Sequence, residues 1–496
     1  MASPVEQRTL PRALLVTAAA AVLPGLGHLL LGRRRTGGAI LAVVALAATG
    51  LGIAVARTDG TELAAGLFST PVLVAVTAGC ALVALGWTAT IVRTYDLARP
   101  RRLGTGRRLC GGGVVVALCA AVVTPLGVTA NAADSQRALL DEVFPNRPTP
   151  ADPAPSDLIG RPRLNLLLLG SDAGPDRTGA RTDTMMVASL DTRTAEVILF
   201  ALPRNIQRAP FPQGSTAAQR FPDGFPDLLN AVYGYGHANP GVAPAGPTAD
   251  PGTNLLMSSV EELLGLPLHH YVSVDMVGLA AVVDALGGVT VDVGPQRLPI
   301  GGVTPSGRLV EPEGYLEPGV QHLDGHETLW YTRSRRNSDD YDRMARQRCL
   351  IDAVLSQNSP TELLLRFRAV AAAAGGGVRT DIPRSMLPAL VTLTAEQGPP
   401  RVRSVAFDPD LPAPGEPGGT FRPARPDVEY MREVVADALA APGEAPVADA
   451  GEPPGTEGPR TSALAAGGGL PAPRPSSIEP APACAGVGGG PDDTDS

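Results

Sequence analysis

Lysine is missing from this chain of 496 residues, so each of its 41 basic side chains is an arginine. A P-loop lysine, a Schiff-base lysine and a lysine general base are thereby excluded. Net positive charge is missing too. The formal charge of -8 argues against a protein that holds nucleic acid by bulk electrostatics, and leaves local arginine clusters that can grip phosphate. Cysteine is scarce, with five in all. Cys80, Cys110 and Cys119 lie in apolar runs where a small buried hydrophobe is the ordinary role, and Cys349 could join Cys484 only in an oxidising compartment. No Gly-x-Ser-x-Gly, His-Glu-x-x-His or Gly-x-Gly-x-x-Gly context occurs, and His269-His270 has no companion ligands at zinc spacing.

What is present divides the chain into regions of different character. Residues 1–130 are rich in Ala, Val, Leu and Gly, 131–162 form a Pro-rich linker, 163–440 have mixed globular composition, and 441–496 are Pro, Gly and Ala with scattered acids. The last stretch cannot bury enough apolar area to fold alone and is expected to be disordered.

Four apolar segments approach the roughly 20 residues needed to cross a bilayer: Ala13–Leu31, Gly38–Ala56, Thr70–Val92 and Cys110–Ala130, none with Asp, Glu or Arg. The loop from Arg93 to Arg108 carries six arginines against Asp96, and short arginine-rich loops stay cytoplasmic. The fourth segment therefore runs outward, and everything after Ala130 is expected outside a multi-pass membrane region. Pro24-Gly25 interrupts the first segment, which is either a span, a re-entrant hairpin or an interfacial element.

In the globular region Leu164–Leu169, Thr184–Leu190 and Glu196–Leu202 read as strands closed by Gly170, the turn after Asp191 and Pro203. If they pair as consecutive antiparallel neighbours, Asp172, Asp183 and Arg204 meet at one sheet edge. Two close carboxylates ionise together only when a cation bridges them, and oxygen ligands suit magnesium or calcium; as isolated residues they would be loop caps. Leu329–Arg335 reads as a strand with Arg333 and Arg335 on one face. Asp339 or Asp340 then caps a helix over Tyr341–Gln357, on which Arg343, Arg346 and Gln347 share a face. Arginine forks beside a helix N-terminus suit a pyrophosphate, although a solvated basic face would look the same. Asn254–Leu264 and Met276–Leu286 read as core helices, followed by a strand over Val289–Val293.

The runs Leu168-Leu169-Gly170-Ser171-Asp172, Arg181-Thr182-Asp183-Thr184, Leu202-Pro203-Arg204, Asp284-Ala285-Leu286-Gly287-Gly288, Leu323-Asp324-Gly325, Tyr331-Thr332-Arg333-Ser334-Arg335 and Asp340-Tyr341-Asp342-Arg343 through Gln347 resemble the LytR-CpsA-Psr family of cell-wall ligases. The resemblance implies an α/β fold with a mixed central sheet flanked by helices. It implies a phosphotransferase that moves a glycopolymer from a polyprenyl-pyrophosphate carrier to a peptidoglycan hydroxyl, with no nucleic-acid partner. It also implies that Asp172 and Asp183 bind Mg2+, and that Arg204, Arg333, Arg335 and Arg343 hold the phosphates with Arg181 and Gln347 in support. Asp172, Asp183, Arg204 and Arg335 are then the catalytic set. Asn205 stands where the family usually has Asp, Ala173 stands where an arginine is frequent, and several spans replace one. These departures keep open a non-catalytic polyprenyl-phosphate-binding protein, and the family's former label keeps open a membrane-bound transcription regulator.

Overall fold

The computed structural model describes residues 9–58, 66, 68–101, 103–144, 161–171, 182–246, 248–303, 308–335, 338–358, 366, 370, 377–397, 400–413, 419–440 and 481–482. These fall into two compact units, residues 1–147 with 383–395, and residues 148–382 with 396–496.

The first unit begins with α1 (Leu10–Val22) and α2 (Leu26–Leu30), followed by α3 (Arg34–Arg57), α4 (Thr70–Ala98) and α5 (Thr105–Val143). The apolar parts of α3, α4 and α5 are each long enough to cross a membrane. α1 is not: its 13 residues rise about 20 Å at about 1.5 Å per residue. The first apolar segment is broken where Pro24 cannot extend the helix and Gly25 adopts φ 96°. A Cβ on Gly25 would stand 2.8 Å from the Gly37 carbonyl, so only glycine allows α2 to return beside α3. The hairpin lies along α4: Trp87 Nε1 donates to the Ala20 carbonyl (3.2 Å), and His28 Nδ1 meets Thr94 Oγ1 (3.3 Å). α5 does not stop at Ala130, where the linker was expected. Residues 131–143 contain neither Gly nor Pro, so nothing breaks the helix before Phe144 and Pro145.

The second unit runs β1 (Arg163–Ser171), β2 (Thr182–Asp191), β3 (Val197–Leu202), α6 (Thr216–Arg220), α7 (Leu229–Ala238), α8 (Pro251–Leu264), β4 (His270–Asp275), α9 (Met276–Leu286), β5 (Val289–Asp292), β6 (Leu298–Val303), β7 (Leu309–Leu316), β8 (Val320–Leu323), α10 (Gly325–Arg333), α11 (Asp340–Gln357) and β9 (Val378–Thr380). Beyond β9 come α12 (Leu387–Gln397), β10 (Val402–Ala406), α13 (Val428–Ala440) and β11 (Ala481–Pro482). The Pro383–Ala395 segment that contains most of α12 folds with the N-terminal helices. There Arg384 Nη1 pairs with Asp141 at 2.8 Å and its Nε donates to the Phe68 carbonyl at 3.2 Å.

The seven-stranded sheet has the order β11-β10-β3-β2-β1-β4-β9. β1–β2 and β2–β3 are antiparallel, whereas β4 lies parallel to β1 and β10 parallel to β3. This is the expected mixed sheet. Leu167, Leu169, Ile198, Phe200 and Leu202 pack one face against α7, α8 and α13, within a core that includes Val232, Leu256, Val260, Met431 and Val435. α11 covers the other face, with Met344 against Met186 and Ala201. Because both faces are covered, β3 is buried at all six positions and reads as continuous apolar sequence rather than alternation.

Of the tail expected to be disordered, residues 441–480 and 483–496 lie outside the described residues, while Ala481–Pro482 adds a short antiparallel pair to β10. Cys349 is disulfide-bonded, whereas Cys80, Cys110 and Cys119 are free thiols.

Candidate active site

The end of β1, the start of β2 and the end of β3 share one edge of the sheet, as strand order requires. Gly170 pairs with Thr184 and Ser171 with Thr182, so Asp183 is the extra residue of a β-bulge. A bulge breaks the alternation of the strand and re-aims its side chain. Pro203 ends β3 and places Arg204 beside it. Asp172 and Arg181 lie outside the described residues. On either side of them, the hydroxyls of Ser171 and Thr182 are buried without a hydrogen-bond partner among the described residues.

The strand expected over Leu329–Arg335 is a helix instead. Asp324 and Glu327 form a reciprocal capping box that nucleates α10, and its last turn carries Arg333. The Arg333 guanidinium lies over the Trp330 ring, 5.5 Å from its centroid, while Arg335 follows the helix and turns toward Asp183. The two arginines therefore do not share a strand face. The next helix starts as expected: Asp339 caps α11, with Asp342 closing the box.

Asp183, Arg204, Asp340 and Arg335 form a closed ring of alternating charge. Arg204 Nη1 donates to Asp183 Oδ1 at 2.9 Å and Arg204 Nε to Asp340 Oδ2 at 3.2 Å. Arg335 Nε stands 3.6 Å from Asp340 Oδ1, and its Nη2 stands 4.0 Å from Asp183 Oδ2. Arg343 supports the ring from its buried side, meeting Asp340 Oδ1 through Nε (3.2 Å) and Nη2 (3.0 Å) and the Asp183 carbonyl through both Nη atoms. Burial alone would raise the Asp183 carboxyl, but the hydrogen bond and charge of Arg204, with Arg343 and Arg335, hold it below its ordinary value. Three guanidiniums against two carboxylates leave one net positive charge, with Arg335 46% and Arg204 25% exposed while Arg343 is only 4% exposed. An incoming anion thus meets Arg204 and Arg335 first.

The other two polar residues of α11 bond to the end of α10. Arg346 donates from Nε to the Tyr331 carbonyl (2.9 Å) and from Nη2 to the Ser334 carbonyl and Ser338 Oγ. Gln347 donates to the Thr332 carbonyl at 3.2 Å, and its Oε1 is buried without a partner among the described residues. Asn205 is exposed and makes no hydrogen bond among the described residues, so the carboxylate missing from that position is not part of the ring. By sequence alone Asp340 reads as a candidate cap. Its spacing of three from Arg343, on one helical face, was the available signal.

The sequence profile of the LytR-CpsA-Psr family matches residues 146–408, just over half of the chain. The chain belongs to this family. Among curated members, it is 27% identical over 230 residues to the polyisoprenyl-teichoic acid–peptidoglycan teichoic acid transferase TagU of Halalkalibacterium halodurans, covering 46% of this chain and 63% of that one. It is 32% identical over 222 residues to the probable cell wall biosynthesis protein LcpB of Corynebacterium glutamicum, covering 41% of this chain and 44% of that one. The match thus spans less than two thirds of either relative. A crystal structure of TagV from B. subtilis aligns with a TM-score of 0.40 at 23% identity, over 57% of this chain and 98% of that one.

A divalent metal needs several oxygen donors. Among the described residues no group of three or more His, Cys, Asp or Glu could hold one, and the Asp183 oxygens already face guanidiniums. The described residues therefore do not complete the expected magnesium site.

Proposed function

We propose that this LytR-CpsA-Psr protein transfers a glycopolymer from a polyprenyl-pyrophosphate carrier to a sugar hydroxyl of peptidoglycan. The observation that carries the reading is the arginine–carboxylate ring, which leaves the outer nitrogens of Arg204 and Arg335 open to an anion at the edge of the sheet. The relatives' names support the substrate classes, and the three long apolar helices support membrane anchorage. The arginine-rich loop from Arg93 to Arg108 supports a multi-pass arrangement with the globular unit outside the cell.

In the proposed reaction the acceptor oxygen attacks the phosphorus nearest the sugar and the bond to the bridging oxygen breaks. The glycan stays on the transferred phosphoryl group as a phosphodiester, prenyl phosphate leaves, and the hydroxyl proton passes to solvent. Phosphoryl transfer depends chiefly on positioning and on neutralising charge on the equatorial and leaving oxygens. Arg204 and Arg335 supply that neutralisation. Arg343, with nearly all its donors spent on Asp340 and Asp183, holds the ring in shape. Magnesium is kept in the proposal as the expectation from the family resemblance, with Asp172 and Asp183 as its carboxylates, and no step above depends on it.

The test is transfer by the detergent-solubilised full chain from a prenyl-pyrophosphate oligosaccharide to peptidoglycan. Linked glycan should form and fall at least a hundredfold in Arg204→Ala. Equal product from the wild type and Asp183→Ala would refute the reading. Transfer unaffected by EDTA would remove magnesium from it.

A further inference from the structure

We propose that Asp340 is a positioning residue, whose carboxylate fixes the Nε edges of Arg204, Arg335 and Arg343 so that the outer nitrogens of Arg204 and Arg335 converge on one diphosphate. The inference rests on the functional reading above and adds a residue that the reacting atoms never touch.

All three guanidiniums present Nε to the same carboxylate, at 3.2 Å for Arg204, 3.6 Å for Arg335 and 3.2 Å for Arg343. A guanidinium is planar and rigid, so fixing its Nε edge fixes where its Nη groups point. Arg204 spends Nη1 on Asp183. Its Nη2 and the Nη1 of Arg335 have no protein partner among the described residues.

A carboxylate among arginines could instead occupy the place of the substrate's phosphate. Two observations set Asp340 behind the guanidiniums rather than in front of them. Its Oδ1 is shared with Arg343, whose side chain is almost wholly buried, so that oxygen faces the interior. Asp340 is also the first residue of α11, and the capping box between Asp339 and Asp342 fixes its backbone. The open nitrogens belong to the two more exposed arginines.

The two arrangements predict opposite signs. Inorganic pyrophosphate is titrated into the detergent-solubilised full chain by calorimetry, for the wild type, Arg204→Ala, Asp340→Asn and Asp340→Ala, with and without formate. If Asp340 positions the arginines, Asp340→Asn binds at least tenfold more weakly. Formate, a free carboxylate small enough for the vacated place, then strengthens binding by Asp340→Ala while competing in the wild type. A gain of binding cannot come from misfolded protein, so this arm stands even if Asp340→Asn folds poorly. Unchanged or tighter binding by Asp340→Asn, or formate that weakens both proteins alike, overturns the proposal. Wild-type protein that binds no pyrophosphate removes the functional reading as well. Binding lost in Arg204→Ala but kept in Asp340→Asn removes this inference alone.

Discussion

Arg346 provides the sharpest separation between an arginine that holds substrate and one that holds the chain. It is only 5% exposed, and its donors end on the Tyr331 and Ser334 carbonyls and on Ser338 Oγ. These acceptors flank Arg335 on both sides in sequence. Arg346→Met keeps most of the packing of the stem and deletes the donors. Hydrogen bonds from a charged group contribute about 1.5–3 kcal/mol each, and a buried acceptor left unpaired costs about 1–3 kcal/mol. These terms are not additive, and water can reach part of the segment once it loosens, so the local loss is set at ~3–4 kcal/mol. At about 1.4 kcal/mol per factor of ten, amides at the end of α10 should exchange with solvent two to three powers of ten faster. The assay is hydrogen exchange read by mass spectrometry on peptides spanning 328–343, with peptides from β3 as the internal reference. Pyrophosphate binding should weaken together with the loss of protection, since Arg335 is no longer held. Unchanged protection with lost binding would refute the reasoning and make Arg346 a ligand of the anion.

His269 accepts a hydrogen bond from the Asn165 amide through Nδ1, and burial first, then Arg161 and His270, pull its pKa down to about 4 from the usual 6.5. The unfolded chain therefore takes up this proton first as pH falls, so the neutral histidine's contribution is complete above pH 6.5 and is lost between 6.5 and about 4. After discounting for its partial exposure the loss is ~1–2 kcal/mol, and His269→Gln should flatten that limb of an unfolding-temperature profile; an identical limb would contradict the assignment. Gly325→Ala would set a Cβ 2.1 Å from the Ala280 carbonyl oxygen, so ~1–3 kcal/mol of overpacking strain is expected, read as a lower unfolding temperature, and an unshifted transition would contradict it. Phe200→Ala, at a fully buried position of the central β3 strand, should cost ~3–5 kcal/mol, checked by chemical denaturation.

Much of the site was legible because strand order is a local inference. Three apolar runs with turn signals between them place Asp183 and Arg204 at one edge whatever their partners, and the structure brings them within hydrogen-bond distance. The start of α11 was equally legible, because an Asx cap acts within three residues of itself. What failed was Leu329–Arg335. Its Trp, Tyr and Thr favour strand by side-chain type, yet the aspartate that decides the matter lies five residues before Leu329. Once Asp324 and Glu327 close a capping box, two backbone amides gain partners and the helix outweighs residue preference. The apparent pairing of Arg333 with Arg335 was a product of the wrong period.

The ring itself was not legible, for a different reason. Arg204 and Asp340 are separated by 136 residues, and nothing in either neighbourhood signals that one carboxylate serves three arginines. A reading by helical face puts Arg343, Arg346 and Gln347 together, and their Cα positions do lie on one side of α11. Shared position does not mean shared purpose, because each side chain bonds to whatever unpaired group it reaches. Arg343 reaches Asp340 and the bulge carbonyl, whereas Arg346 and Gln347 reach carbonyls at the end of α10 that its helix leaves unpaired. Basic residues on one helical face therefore divide between substrate and scaffold according to the unsatisfied acceptors nearby, and those are set by tertiary contacts rather than by sequence spacing. The same logic separates Arg335, exposed and held at its Nε edge, from Arg343, which is buried behind the ring with nearly all its donors spent.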